Sequence, residues 1–327
     1  MNILVTGGTG FIGSALVREL ANRGHRVRVF DNDSRGRAGN LVGTGVEVVR
    51  GDVRDLAQVR RACAGMELVY HLAYINGTRY FYEIPDAVLE VAVRGALNIF
   101  DGAAQAGVRR VVYASSSEVY HLPEKIPTDE TVKMQIPDPT NPRFSYGGGK
   151  LVGELLTLHY LRRKGVEGVI FRPHNVYGPA MGFEHVIPEF VARMYQLSNR
   201  FTKRRIVFPI QGSGKETRAF CYIDDAVEGI VMVGERGGDG EIYHIGDDSA
   251  ETAVDELAGR VAVELGLELE LEAGPLARGS TPRRLPSINK ARLLGYRPQV
   301  SLAAGLRTTV GWYRDYFRRS ASSAEAA

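Results

Sequence analysis

Tyr146 and Lys150 stand four residues apart in Phe144-Ser-Tyr-Gly-Gly-Gly-Lys150, and on a helix that spacing puts a phenol and an ammonium on one face. A cation beside a phenol lowers its pKa toward neutrality, and a tyrosine tuned in this way can take the proton of an alcohol while hydride leaves the same carbon. The same spacing also occurs on solvated helix faces that do no chemistry. The three intervening glycines cost helix stability, a sign that close approach by a neighbour outranks propensity here. His174 and His185 are further candidates for acid–base work, although an isolated histidine is more often structural.

Such a pair needs a hydride acceptor, and the first residues offer a place for one. Asn2–Thr6 is a short strand-forming run, followed by Gly7-Gly-Thr-Gly-Phe-Ile-Gly13 and the helical Ser14–Ala21. Gly8, Gly10 and Gly13 have the spacing that admits a tight turn, a pyrophosphate against the backbone and a closely packed helix whose N-terminus faces the anion. A second run, Arg26–Phe30, ends in Asp31, where a carboxylate would accept from both hydroxyls of an adenosine ribose and repel a 2′-phosphate. This favours NAD over NADP, while Arg35 and Arg37 close behind could host a phosphate.

The rest of the chain must carry these groups to one place. Strands are expected at Val46–Val49, Leu68–Ala73, Arg109–Ala114 and Val166–Phe171, and helices at Ala87–Gln105 and Leu151–Arg162. Asp52 would sit near the adenine or cap the helical segment from Leu56. Leu122–Pro142, rich in proline, threonine and acidic residues, reads as a surface loop. The alternation predicts an α/β fold, a Rossmann-type doubly wound parallel sheet with ligands beyond the carboxyl ends of its strands. After Pro179 the alternation decays into smaller elements around Glu184–Gln196, Ile242–Gly246 and Ala253–Leu265. Residues 1–173 are therefore expected to form the dinucleotide-binding domain, with segments around 208–250 returning to it. Residues 174–319 would form a mainly C-terminal substrate lobe and 320–327 a frayed tail.

Composition narrows the class. The 327 residues are 44% hydrophobic, enough for a real core, and the formal charge of +3 gives no nucleic-acid signature while suiting an anionic small molecule. Cys63 and Cys221 are far apart and lack metal-ligand spacing, so buried reduced thiols and no metal site are expected. The chain begins directly in a strand and contains no bilayer-length apolar stretch, which predicts a soluble, cytoplasmic protein without membrane contact.

Over roughly residues 1–315 the chain resembles extended short-chain dehydrogenases/reductases of the NAD-dependent epimerase/dehydratase family, which act on nucleotide-diphosphate sugars. The resemblance rests on Thr6–Gly13, Gly51-Asp-Val53, His71-Leu-Ala73, Ser115–Tyr120, Tyr146 with Lys150, Asn175–Pro179, Thr217–Asp225, Pro286–Ala291 and Leu294–Pro298. It implies a triad of Ser116, Tyr146 and Lys150. It also implies cofactor contacts from Gly7, Gly10, Phe11, Ile12, Gly13, Asp31, Asn32, Ser34, Arg35, Asp52, Val53, Leu72, Ala73, Tyr146, Lys150 and Pro173. Substrate contacts would come from Ser117, His174 and Asn175, with Arg218 and Arg283 or Arg284 on the diphosphate, a task that suits guanidinium forks. It further implies a homodimer through the helices 87–105 and 151–162, whose apolar faces suit a core equally well.

The net reaction turns on a few positions. Glu118 fills a slot that holds glutamate in sugar-nucleotide 4,6-dehydratases and UDP-glucuronate decarboxylases, where it could remove a proton alpha to a C4 ketone; it could equally orient Tyr146. Ser117 stands where many dTDP-glucose dehydratases carry an acid, although GDP-mannose dehydratases have serine there. Gly212–Tyr222 resembles decarboxylases and 3,5-epimerases, but Ala180–His185 lacks the basic residue decarboxylases place after Tyr-Gly-Pro. His174 is shared with 3,5-epimerases, whose cysteine is replaced by Ser117, and Ala92 replaces a usual asparagine. Epimerisation through transient oxidation at C4 is the first expectation, followed by 4,6-dehydration and decarboxylation. An NAD-binding regulator is the non-enzymatic alternative, and the intact Ser116, Tyr146 and Lys150 argue against it.

Overall fold

A computed structural model of the chain describes residues 1–249, 251–275 and 281–325. Its body is a seven-stranded sheet. β1 (Asn2–Thr6), β2 (Arg26–Asp31), β3 (Glu47–Arg50), β4 (Leu68–His71), β5 (Arg110–Ala114) and β6 (Glu167–Pro173) join the later strand Ile242–Ile245. From edge to edge the order is Ile242–Ile245, β6, β5, β4, β1, β2, β3, and every neighbouring pair is parallel. The middles of the inner strands are apolar because helices cover both faces: Ile3, Leu4 and Val5 of β1 are all fully buried. The chain leaves β1 in opposite directions on its two sides, and the crevice at the carboxyl ends of β1 and β4 is where such a sheet takes ligands.

On one face α1 (Phe11–Asn22) packs beside the helix Ile223–Arg236, with Leu16, Val17 and Leu20 in one core with Ala226, Val227 and Ile230. On the other, Val59 of α2 (Leu56–Cys63) meets Ile99, Phe100 and Ala103. Asp55, not Asp52, caps α2, its carboxylate accepting from the Gln58 amide. After β4 come α3 (Thr78–Glu83) and α4 (Pro85–Glu90), then a widened turn over Val91–Gly95 and α5 (Ala96–Gln105), so the helix expected from Ala87 starts at Pro85. Proline suits a first helical turn, where its missing N–H costs nothing.

The helix expected from Leu151 instead begins at Phe144 as α6 (Phe144–Leu155), with Tyr146 and Lys150 inside it, and continues through a widened turn at Leu156–Leu161. Its glycines explain why propensity yields here. A Cβ on Gly149 would lie 2.3 Å from the Tyr74 hydroxyl, one on Gly153 1.9 Å from that of Tyr113, and one on Gly147 3.1 Å from the Glu118 carbonyl. Gly148 meets only Ile136, at an ordinary 3.5 Å.

In the second half, Ile242–Ile245 joins the main sheet, whereas Arg205–Ile210 pairs with Glu268–Ala273 in a separate two-stranded sheet. A three-stranded sheet unites Thr217–Ala219 with Glu251–Ala253 and Arg283–Arg284. The last helix runs from Leu302 to Glu325, so the frayed tail expected from Ser320 is helical up to Glu325. Its alanines and arginines are strong helix formers and extend the preceding turn. Ala326 and Ala327 lie outside the described residues. Among the described residues no helix is long and apolar enough to cross a membrane, and no group of three His, Cys, Asp or Glu side chains could hold a metal.

Candidate active site

A cleft of about 750 Å³ opens along the carboxyl ends of the strands and runs between the sheet and the later segments. Its floor is the β1–α1 turn. Gly7 has φ +71°, and a side chain there would strike Ala73 N at 2.7 Å; a Cβ on Gly13 would lie 2.1 Å from Gly7 O. Glycine is thus a steric requirement at both positions, and the bare backbone leaves room for a pyrophosphate at the start of α1. Asp31 is held with one carboxylate oxygen 3.0 Å from the Thr9 amide and the other 2.9 Å from that of Asp33.

Beside it Asn32 donates to Asp52 at 3.3 Å. Arg54 hydrogen-bonds Asp52 and pulls its pKa down to about 2, so the Asp52 carboxylate is held ionised and paired at that side of the cleft. Arg35 is engaged elsewhere, 3.3 Å from Glu184 and 4.3 Å above the Tyr80 ring. Gly10, Phe11, Ile12, Ser34, Val53, Leu72, Ala73 and Pro173 line the same cleft, so the structure brings every residue expected at the cofactor into one cavity.

Farther along lie Ser116, Tyr146 and Lys150, which are 7%, 8% and 3% exposed. β5 ends at Ala114 and delivers Ser116, whose hydroxyl accepts from the Glu118 amide at 3.2 Å and lies near enough to the Tyr146 phenol to draw its pKa down. In this geometry burial works against the lowering that the Tyr146–Lys150 spacing predicts. Burial pushes Tyr146 up to about 12 against the downward pull of Ser116. Lys150 does not reach the phenol: its ammonium donates to Ala114 O at 2.7 Å, and burial lowers its pKa to about 7, with Glu154 working in the opposite direction. The Glu154 carboxylate is taken by Arg172, at 2.5 and 2.8 Å, in a buried ion pair that also receives the Ser115 hydroxyl.

Sequence reasoning placed Glu118 and Arg284 in different roles, and the structure makes them partners. The Arg284 guanidinium hydrogen-bonds the Glu118 carboxylate and the Thr281 hydroxyl, the latter at 3.0 Å. Burial raises the Glu118 pKa, but the charge and hydrogen bond of Arg284 outweigh it and leave the carboxyl below its ordinary value. Ser117, Asn175 and His185 also line the cleft; the Asn175 amide donates to Ala219 O at 3.0 Å, and burial lowers the His185 pKa below its ordinary value.

Three expected substrate residues are not at this cleft's walls. Arg283 is an exposed partner of Glu251 at 2.7 Å. Arg218 spends its donors on Thr217 O and Thr281 O, both at 2.7 Å. His174 is 3% exposed against His244, ring centres 4.5 Å apart, beside a separate cavity of about 10 Å³ that reaches Ser117 and Arg284. Conversely, Tyr74 and Phe81 pack on Tyr146, with ring centres at 5.0 and 4.8 Å, and went unnoticed in the sequence. The aromatic run Tyr80-Phe-Tyr82 just after His71-Leu-Ala73, together with the unexplained Gly149, was the available signal.

Comparison with known proteins supplies context for this cleft. A model of the NAD dependent epimerase/dehydratase family matches residues 3–246. The UDP-glucose 4-epimerase of Mycolicibacterium smegmatis is 34% identical over 326 residues, covering 96% of this chain and 99% of that protein. UDP-glucuronic acid decarboxylase 1 of Arabidopsis thaliana is also 34% identical, covering 96% and 70%. The dTDP-glucose 4,6-dehydratase of Streptomyces venezuelae, solved with NAD bound, superposes with a TM-score of 0.84 at 33% identity, covering 96% and 97%.

Proposed function

The chain belongs to the NAD-dependent epimerase/dehydratase family, and from that premise we propose that it epimerises a nucleotide-diphosphate sugar through transient oxidation at C4. It is an NAD-dependent enzyme. Its residues fit that cofactor: at Gly7 and Gly13 a Cβ would collide with backbone, leaving a bare turn that would hold the pyrophosphate, and the anchored Asp31 carboxylate would accept from the adenosine ribose. When bound, NAD would supply the acceptor of the C4 hydride and the donor that returns it.

The observation that carries the reading is the gathering of buried Ser116, Tyr146 and Lys150 on the walls of that one cleft. Ser116 orients the phenol, and Tyr146 Oη takes the proton of the C4 hydroxyl. The Lys150 ammonium, turned toward Ala114, fixes the wall behind it. Once the ketone presents its other face, Tyr146 returns the proton. Arg284 holds Glu118 as a carboxylate, so it is poorly suited to donate a proton to a leaving group, and we assign it the orientation of Arg284 toward the sugar nucleotide. The same ionised state is the one a base needs, and this favours 4,6-dehydration as the second reading.

The exposed Leu89 of α4 and Leu155 of α6, on helices that pack together, support a homodimer through this surface. Sedimentation of the purified protein at twice the chain mass is the expected result. The reaction is tested by incubating a panel of UDP-, GDP-, dTDP-, CDP- and ADP-sugars with the enzyme in deuterated water and reading the masses. An isomer without stable deuterium at carbon supports epimerisation, and loss of water or carbon dioxide overturns it. Tyr146→Phe should lower turnover by about 10²–10⁴-fold, the usual worth of a positioned proton-transfer group, while NAD stays bound.

A further inference from the structure

Tyr74 occupies an unusual place. The Lys150 ammonium stands 3.7 Å from the centre of its ring, against 5.4 Å for Tyr113 and 5.8 Å for Tyr146. The Tyr74 hydroxyl donates to Tyr146 O at 3.2 Å, and its ring meets the Tyr146 ring edge to face. Gly149 makes this possible, since a Cβ there would lie 2.3 Å from the Tyr74 oxygen and 2.7 Å from Ala92 Cβ. Three residues of one helix, Tyr146, Gly149 and Lys150, are therefore shaped around a side chain from the segment after β4.

A buried ammonium needs compensation. Lys150 has the Ala114 carbonyl, but the nearby Glu154 carboxylate is already held by Arg172 and Ser115. His71 on β4 is neutral and bonded to the Thr6 hydroxyl at 2.7 Å, so it adds no negative charge; Tyr113 on β5 and Tyr146 on α6 present only distant rings. The face of an aromatic ring attracts a cation most strongly where water is excluded. We propose that Tyr74 is a positioning residue: its ring face holds the Lys150 side chain charged and in place beside Tyr146, and Gly149 is the space that lets it in. The proposal rests on the assignment of Lys150 and Tyr146 as partners in turnover.

The test reads Lys150 itself. The sequence contains seven lysines, so labelling lysine with ¹³C at Cε gives a small set of signals, and Lys150→Arg identifies the one of interest. With NAD bound and no sugar nucleotide present, the Lys150 signal is followed against pH in the parent, Tyr74→Leu and Tyr74→Phe. Removing the ring removes an interaction that favours the charged form, so Tyr74→Leu should move the midpoint down by about one unit or more. Tyr74→Phe keeps the ring and should leave the midpoint near that of the parent. Gly149→Ala, which must push Tyr74 away, should shift it in the same direction as Tyr74→Leu and serves if the leucine variant does not fold. An unchanged midpoint in Tyr74→Leu, or an equal drop in Tyr74→Phe, would overturn the proposal. Undiminished turnover in Tyr146→Phe would instead remove the assigned reaction and leave the Lys150 titration standing.

Discussion

Gly7 and Gly13 approach each other across a single turn of chain, whereas Glu118 and Arg284 meet across 166 residues. The two contacts mark the two ends of one cleft. At the dinucleotide end the fit is steric and local: a strand, a glycine turn and a helix start follow one another directly, and the cradle exists as soon as those elements pack. At the sugar end the fit is electrostatic and distant. Arg284 lies on a two-residue strand paired with Thr217–Ala219, and Thr281 beside it reaches back to His121 O at 3.1 Å. Such a site exists only when the second half of the chain has closed onto the first. On the proposed function, local backbone geometry sets what cofactor is held, and long-range closure sets what is done with it.

Substitutions at each end separate these two kinds of construction. Gly13→Ala should have the largest effect, because the new Cβ meets backbone that has no side-chain freedom to yield. The expected outcome is loss of NAD binding by calorimetry together with about 1–3 kcal/mol of stability, the usual cost of overpacking. Retained affinity would mean that the cradle can relax and that the dinucleotide end is less rigid than its backbone contacts imply.

Arg284→Leu should leave NAD binding intact and raise KM for the sugar nucleotide, while costing roughly 1–2 kcal/mol, less than a fully buried pair because Glu118 is 31% exposed. Its signature is a pH dependence. A carboxyl held below its unfolded pKa contributes stability above that pKa and loses it as pH falls through the folded value. In the parent the contribution of Glu118 should thus vanish on acidification below its ordinary value of 4.5, and in Arg284→Leu this acid-side loss should disappear from denaturation curves taken at several pH values.

Asp52 offers the corresponding test at the dinucleotide end. Its pKa of about 2 predicts stability that is complete above 3.8 and lost as pH falls toward 2, and Arg54→Ala should flatten that segment of the curve. Arg283→Ala should do least. Its guanidinium pairs with Glu251 at the surface, so melting temperature and KM should match the parent, and a large KM change would relocate the sugar end of the cleft.

Much of the molecule was legible in the order of residues. The strand–glycine–helix opening, Asp31 at the end of the second strand, and Tyr146 four residues before Lys150 depend on neighbours in sequence, and short-range sterics fix them wherever the chain is placed. Even the glycines of α6 declared that something approaches closely, without saying what. The tertiary structure alone decided that Tyr74 fills the space beside Gly149 and that Arg284, not its neighbour Arg283, turns to Glu118. It also decided that Lys150 faces Ala114 and not the phenol.

The pKa of Tyr146 shows the same division. Spacing places a charge near a phenol, but burial sets the dielectric and the competing partners, and both come from segments far away in the chain. Sequence determined which groups are present and which face they share, because periodicity is a local property. Folding determined their partners and protonation, because desolvation and ion pairing depend on everything that closes around them.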